Sequence, residues 1–240
     1  MAFAGSIEPV VMADPVVIGP VAASDWGGAY VGIFAGVASG NASLIFNTKN
    51  EDGHFWEMDH ELTGNVAGAR IGYDVQAGSW VIGGFAEYAA GEITGSRLNP
   101  QDESNFIGVE GNEAGGPPVE FTTSIDQVSS IQVRVGQVLG NGGLLYGHGG
   151  LATANVTLSG SGGPANSFET QTGSASGTVF GVGYEQHFSD SMTYFIDYSM
   201  VNLSSSNLYL IEDSGDYKGG VNNQGRDLSV ISVGVNFTFN

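Results

Sequence analysis

From Ala29 to Phe239, apolar and polar residues alternate with a period of two in roughly eight separate runs. That is the repeat of a β-strand whose two faces meet different surroundings. The first run, Ala29–Ala38, puts Ala29, Val31, Ile33, Ala35 and Val37 on one face and Gly32 and Gly36 on the other. The second, Thr63–Ala77, opposes Ala67, Ala69, Ile71, Tyr73 and Val75 to Gly68, Arg70, Gly72, Asp74 and Gln76. In the third, Trp80–Glu92, the row Trp80, Ile82, Ala86 and Tyr88 faces away from Gly83, Phe85 and Glu87. The fourth, Ile125–Leu139, sets Ile131, Val133 and Val135 against Gln132, Arg134 and Gly136. The fifth, Leu144–Leu158, has an ambiguous facing. The sixth, Thr178–His187, opposes Phe180, Val182 and Tyr184 to Gly181, Gly183 and Glu185. In the seventh, Met192–Leu203, the row Tyr194, Ile196, Tyr198 and Met200 opposes Asp197 and Ser199. The last, Asp227–Phe239, is the clearest: Ile231, Val233, Val235, Phe237 and Phe239 alternate with Ser232, Gly234, Asn236 and Thr238.

The connections between these runs sort by length. Those at Gly78-Ser79, Gly140–Gly143 and Ser189–Ser191 are short, whereas Ser39–Leu62, Gly95–Ser124, Ser159–Gly177 and Ser204–Arg226 are long. Short turns at one end and long loops at the other are the arrangement of outer-membrane barrels, whose long loops face outside. A soluble sandwich has no reason to sort its connections this way. The pattern therefore predicts an all-β fold over residues 25–240: an eight-stranded antiparallel up-and-down transmembrane β-barrel with short periplasmic turns and long extracellular loops. The first run must pair with the last, because a lipid-facing strand cannot leave its edge unpaired in hydrocarbon. Residues 1–24, with Pro9, Pro15 and Pro20 among valines and alanines, read as an extended periplasmic tail. Ala2-Phe3-Ala4 has the small-x-small form of a leader cleavage site. Met1–Ala4 is thus the stump of a removed leader, an artificial start, or an ordinary small-residue terminus.

Composition agrees with this reading. A mean hydropathy of +0.03 excludes a bundle of membrane helices, and no apolar run approaches the ~20 residues that one such helix needs. In a barrel only alternate residues face lipid, so a chain with 39 Gly and 10% aromatics averages to near neutrality. Six Lys+Arg against 25 Asp+Glu give a formal charge of −19, which excludes the basic stripe of a nucleic-acid binder. The same acidity argues against docking on anionic lipid, so membrane association means insertion.

Several stretches resemble the alphaproteobacterial outer-membrane β-barrel family of porin-like surface antigens, related in fold to the opacity-type proteins. They are Asp25–Gly32, Ala69–Asp74, Trp80–Glu87, Val133–Gly136, Leu144–Ala152, Val179–Glu185 and Val233–Phe239, in order from Trp26 to the C-terminus. The long loops carry no part of the match. The resemblance implies an eight-stranded barrel of the bacterial outer membrane. It also implies that Phe237 and Phe239 form a C-terminal signal read by the barrel-assembly machinery, although here Asn240 follows Phe239. Some members of the family are described as porins and some as haem binders.

The inward face carries the candidate chemistry. Arg70, Asp74, Glu87, Arg134, Glu185 and Asp197 all fall on the glycine-rich face, and charges there avoid lipid only by pointing into the lumen. In an interior just wide enough for side chains they should pair across the barrel as a plug of ion pairs, with Tyr146 or Gln132 serving any surplus acid. A gated path with exchanging salt bridges is the functional alternative. His187-Phe188-Ser189 resembles the His-x-Ser pair of outer-membrane lipid A deacylases, but no orienting carboxylate follows in register. His54 and His60 sit among Glu51, Asp52, Glu57, Asp59 and Glu61 in the expected first long loop, a solvated acidic segment with no metal-ligand spacing. His148 is a haem ligand only in the context of the family, and otherwise a hydrogen-bonded lumen residue. Trp26, Trp80, Tyr73, Tyr88, Tyr184, Tyr194 and Phe239 are expected in aromatic belts at the membrane interfaces.

These readings predict no catalytic group, cofactor or dedicated metal site. The expected partners are outer-membrane lipid, lipopolysaccharide and the assembly machinery, with divalent cations at the acidic loops. The leading function is structural or surface interaction through those loops. A small-solute channel and a lipid-modifying enzyme are the alternatives.

Overall fold

A computed structural model describes residues 25–49, 55–99, 119–162, 170–204, 206–211 and 220–239. Within these ranges all regular structure is strand: β1 (Gly28–Lys49), β2 (Phe55–Ala77), β3 (Trp80–Asn99), β4 (Val119–Val138), β5 (Leu144–Gly162), β6 (Gln171–Ser189), β7 (Met192–Leu203), β8 (Ser206–Ile211) and β9 (Gly220–Phe239). β1 to β7 each pair antiparallel with the neighbouring strand in sequence, β7 and β8 both pair with β9, and β1 pairs with β9 from Ala29↔Phe239 to Phe46↔Val221, closing the ring. The short β8 takes up the place of β7 beside β9 beyond Leu203, so the barrel has eight staves. Closure satisfies the backbone donors and acceptors of both end strands, as hydrocarbon requires.

The short connections are built as the sequence suggests. Ala77 pairs with Trp80 across a two-residue turn, and Gly78 has φ 64°, the left-handed conformation such hairpins favour. The expected long loops, by contrast, are in part strand, over 39–49 and 55–62, 95–99 and 119–124, 159–162 and 171–177, and 206–211 and 220–226. β1 has 22 residues, β2 has 23 and β9 has 20, about twice the 9–11 that span a bilayer. Their outer faces show where the membrane stops. Ile33, Val37, Ile71, Val75, Ile82, Ile131, Val133, Val182, Ile196 and Val233 form an exposed apolar band, and Ser39, Asn41, Glu61, Glu92 and Asp227 follow outside it. The barrel wall therefore continues past the hydrocarbon at the end carrying the long connections. Sequence reading stopped short because Ser, Thr and Gly in these extensions blur the period-two signal.

Faces fall as the alternation predicts in β1–β4, β6, β7 and β9. In β5 the structure resolves the ambiguity: Leu145 and Leu151 point out, while Leu144, Tyr146, His148, Ala152, Ala154, Val156 and Leu158 point in. The glycines of the inner face make room for rings on neighbouring strands. A Cβ at Gly72 would run into the Tyr30 ring, and one at Gly183 into Tyr146.

Candidate functional site

The lumen is filled in tiers. At the turn end, Trp26 tucks into the mouth of the barrel against Val81, Leu144 and Tyr146, with its backbone N–H donating to Gln76 Oε1 at 2.7 Å. Its ring packs 4.2 Å from that of His187. Trp26 is therefore not a member of the interfacial belt. It stands just before β1, outside the alternation of that strand, with its ring inside the barrel. Trp80, Tyr73, Tyr88, Tyr194 and Phe239 do lie exposed on the outer face.

Above Trp26 lies the charged tier. Arg134, from β4, reaches across the lumen to Asp74 of β2, donating from Nε at 3.0 Å and also from Nη2. Its Nη1 donates to Glu185 Oε2 of β6 at 2.9 Å. Arg70 lies 3.6 Å from the same Glu185 oxygen, and its Nε donates to Asn236 Oδ1 at 2.8 Å. Glu185 also accepts from Thr193 and Asn236, so its lone pairs are well used. Aromatic faces complete the shell. Arg70 sits 3.4 Å from the Phe195 ring centre, and Arg134 stands between Tyr30 and Tyr146 at 4.8 and 5.0 Å.

Asp197 and Glu87 stand apart from the arginines. Asp197 accepts from Tyr146 Oη at 3.1 Å and from Ser199 Oγ at 2.7 Å, and lies 3.1 Å from His148 Nε2. Glu87 is in register with Arg70 but forms no ion pair among the described residues. It borders a lumen cavity of about 40 Å³ with Gln132, Ser130, Ser199 and Ser232. That volume suits a few waters and not a solute. His148 Nδ1 meets Gln132 Oε1 at 2.6 Å, so its imidazole is engaged on both sides. These residues do not fit a haem.

The upper tier is apolar, and much of it is built from strand residues expected in the long connections. Phe34, Ala38, Ala42, Leu44, Leu62, Val66, Ile93, Phe121, Ile125, Val156, Leu158, Val179, Val201, Leu203 and Leu228 pack as one cluster inside the wall. In this half a packed core replaces water. His60 belongs here. It was expected in a solvated loop, yet β2 extends through it, and alternation sends Asp59 and Glu61 out and His60 in. Arg226, on β9, is a third inward arginine, missed by the alternation because it fell in an expected loop. Glu51, Asp52, His54, Asp102, Glu103, Glu110, Glu113, Glu212, Asp213 and Asp216 lie outside the described residues. Among the described residues no group of acids and histidines is arranged as a metal site. His187 is occupied by Trp26, and no hydrogen bond joins it to Ser189, which lies exposed.

Comparison with known proteins agrees with the architecture. The outer membrane protein beta-barrel domain matches residues 16–239. The 31 kDa outer-membrane immunogenic proteins of Brucella melitensis and Brucella suis are 25% identical over 226 residues, covering 92% of this chain and 86% of theirs. Among solved structures, the outer membrane protease OmpT from Escherichia coli superposes with a TM-score of 0.54 at 9% identity, covering 88% of this chain and 97% of its own. That likeness is one of fold alone. OprG from Pseudomonas aeruginosa gives 0.47 at 12% identity, over 89% and 97%. The chain belongs to the outer membrane protein beta-barrel domain family, and its place is the bacterial outer membrane.

Proposed function

We propose that this protein is a closed barrel with a structural and surface-interaction role, working at its extracellular end and neither conducting solutes nor catalysing a reaction. The observation that carries the proposal is the filling of the lumen from Trp26 through the Arg134 network to the apolar tier. A water path would have to cross the ion-paired tier and then the packed apolar tier, whose cavity holds only about 40 Å³. The outer face above the apolar band supplies the interacting surface: Asp59, Glu61, Glu92, Asp126 and Asp227 all point away from the barrel. The long connections are rich in acids by sequence, and a surface role is in keeping with the immunogenic character named for the Brucella relatives. In this reading the partners are outer-membrane lipid and lipopolysaccharide, whose phosphates meet the acidic collar through divalent cations. Phe237 and Phe239, on the last strand, serve recognition by the assembly machinery.

Conductance tests the closed lumen. The purified barrel, added to a planar lipid bilayer, is expected to give no steady open level across physiological salt. A reproducible unitary conductance from the full chain would overturn the proposal in favour of a small-solute channel.

A further inference from the structure

Among the described residues, one buried guanidinium has no counter-ion. Arg226 is 1% exposed, and its Nε, Nη1 and Nη2 all lack a hydrogen-bond partner among the described residues. Nδ1 and Nε2 of His60, also buried, lack one too. The two residues flank one position of β1, since Ala42 is in register with His60 on one side and Arg226 on the other. Both lie beyond the lipid-facing band, within the extracellular half of the wall. Burial pushes the Arg226 guanidinium down to about 10. It also lowers His60, with the nearby Arg226 and Arg97 cations adding to the effect.

The missing partner is hard to explain as a packing accident. The chain has 25 Asp+Glu and only six Lys+Arg, and the arginines of the lower tier each have a carboxylate. The acids nearest in sequence, Asp59, Glu61 and Asp227, alternate with these inward positions and so point out of the barrel. A charge and its donors stripped of water without compensation are costly, and such groups are normally paired.

We propose that Arg226 and His60 form a binding site for a monocarboxylate with an apolar body, such as a short- or medium-chain fatty acid. The planar guanidinium fork matches a carboxylate bidentately, and a neutral imidazole adds one donor. A single fixed positive charge balances one negative charge. A phosphate dianion would bring a second charge into surroundings made by Leu44, Leu62, Leu203 and Leu228, where nothing matches it. The apolar body would lie against these leucines, and Ala42, in register between Arg226 and His60, sets only a methyl group between them.

The test uses the full chain folded into phosphatidylcholine nanodiscs and titrated calorimetrically with hexanoate, hexanol or inorganic phosphate. Hexanoate is expected to bind saturably, one per chain, with hexanol and phosphate much weaker. Arg226→Met and Arg226→Gln should each weaken it by about tenfold or more, the loss of a charge-assisted contact. His60→Ala should weaken it less. A second readout does not depend on the ligand. Without any anion, Arg226→Met should unfold at higher urea than the parent, because an uncompensated charge is replaced by an apolar side chain. The assignment is overturned by the absence of saturable hexanoate binding, by equal binding in Arg226→Met, or by equal binding of hexanol. Preference for phosphate overturns the ligand class. A lower urea midpoint for Arg226→Met overturns the claim that the guanidinium is unpaired.

Discussion

Replacing Arg134 with Met is expected to destabilise the folded barrel by about 3–5 kcal/mol, the cost of leaving buried carboxylates without their cation. Asp74 suffers most. Arg134 is its one ion-pair partner among the described residues, whereas Glu185 keeps Arg70 at 3.6 Å together with Thr193 and Asn236. The measurement is a urea titration of folding into lipid vesicles, read by the heat-dependent gel mobility of intact barrels. The double variant Arg134→Met with Asp74→Leu should recover part of the loss, because removing both charges leaves nothing uncompensated except the weaker call on Glu185. An unchanged urea midpoint for the single variant would mean that the charged tier contributes nothing to stability. The contrast with Arg226 is informative. The same substitution is expected to lower stability at Arg134 and raise it at Arg226, and the difference lies only in whether a carboxylate is present.

One residue away, Val133→Arg should cost about 2–4 kcal/mol for the opposite reason. Val133 is 68% exposed on the outer face between Ile131 and Val135, in the middle of the lipid-facing band. A guanidinium there leaves water for hydrocarbon, with no acid in reach and the interface several residues away. The same vesicle titration measures it, and folding into detergent micelles should be less affected because water lies closer. If Val133→Arg folds into vesicles as readily as the parent, the band does not face lipid and its placement fails. Together the two substitutions test the alternation itself: an arginine is required at one position and excluded at the next.

The alternation and its consequences are legible in the residues alone. A period of two is a property of a single strand, so Ile131, Val133 and Val135 could be set against Gln132 and Arg134 without knowing any neighbour. The short turn at Gly78-Ser79, the all-antiparallel order and the β1–β9 closure follow from local signals and from the intolerance of hydrocarbon for an open edge. The inward direction of Arg70, Asp74, Glu87, Arg134, Glu185 and Asp197 follows in the same way.

Which of these residues meet depends on the closed ring. Register and stagger around the closed ring set the contacts across it, so Arg134 joins Asp74 and Glu185 while Glu87, directly opposite Arg70 in register, forms no ion pair among the described residues. The extensions above the membrane were also hidden. With water outside and a packed core inside, Ser, Thr and Gly suffice on the outer row, and the pattern fades where lipid no longer demands it. That is why His60 and Arg226 passed as loop residues. The aromatic character of Trp26 is visible in sequence and suits an interfacial belt, whereas its packing inside the barrel mouth depends on residues distant along the chain. Sequence fixes which face a side chain takes; closure fixes what it finds there.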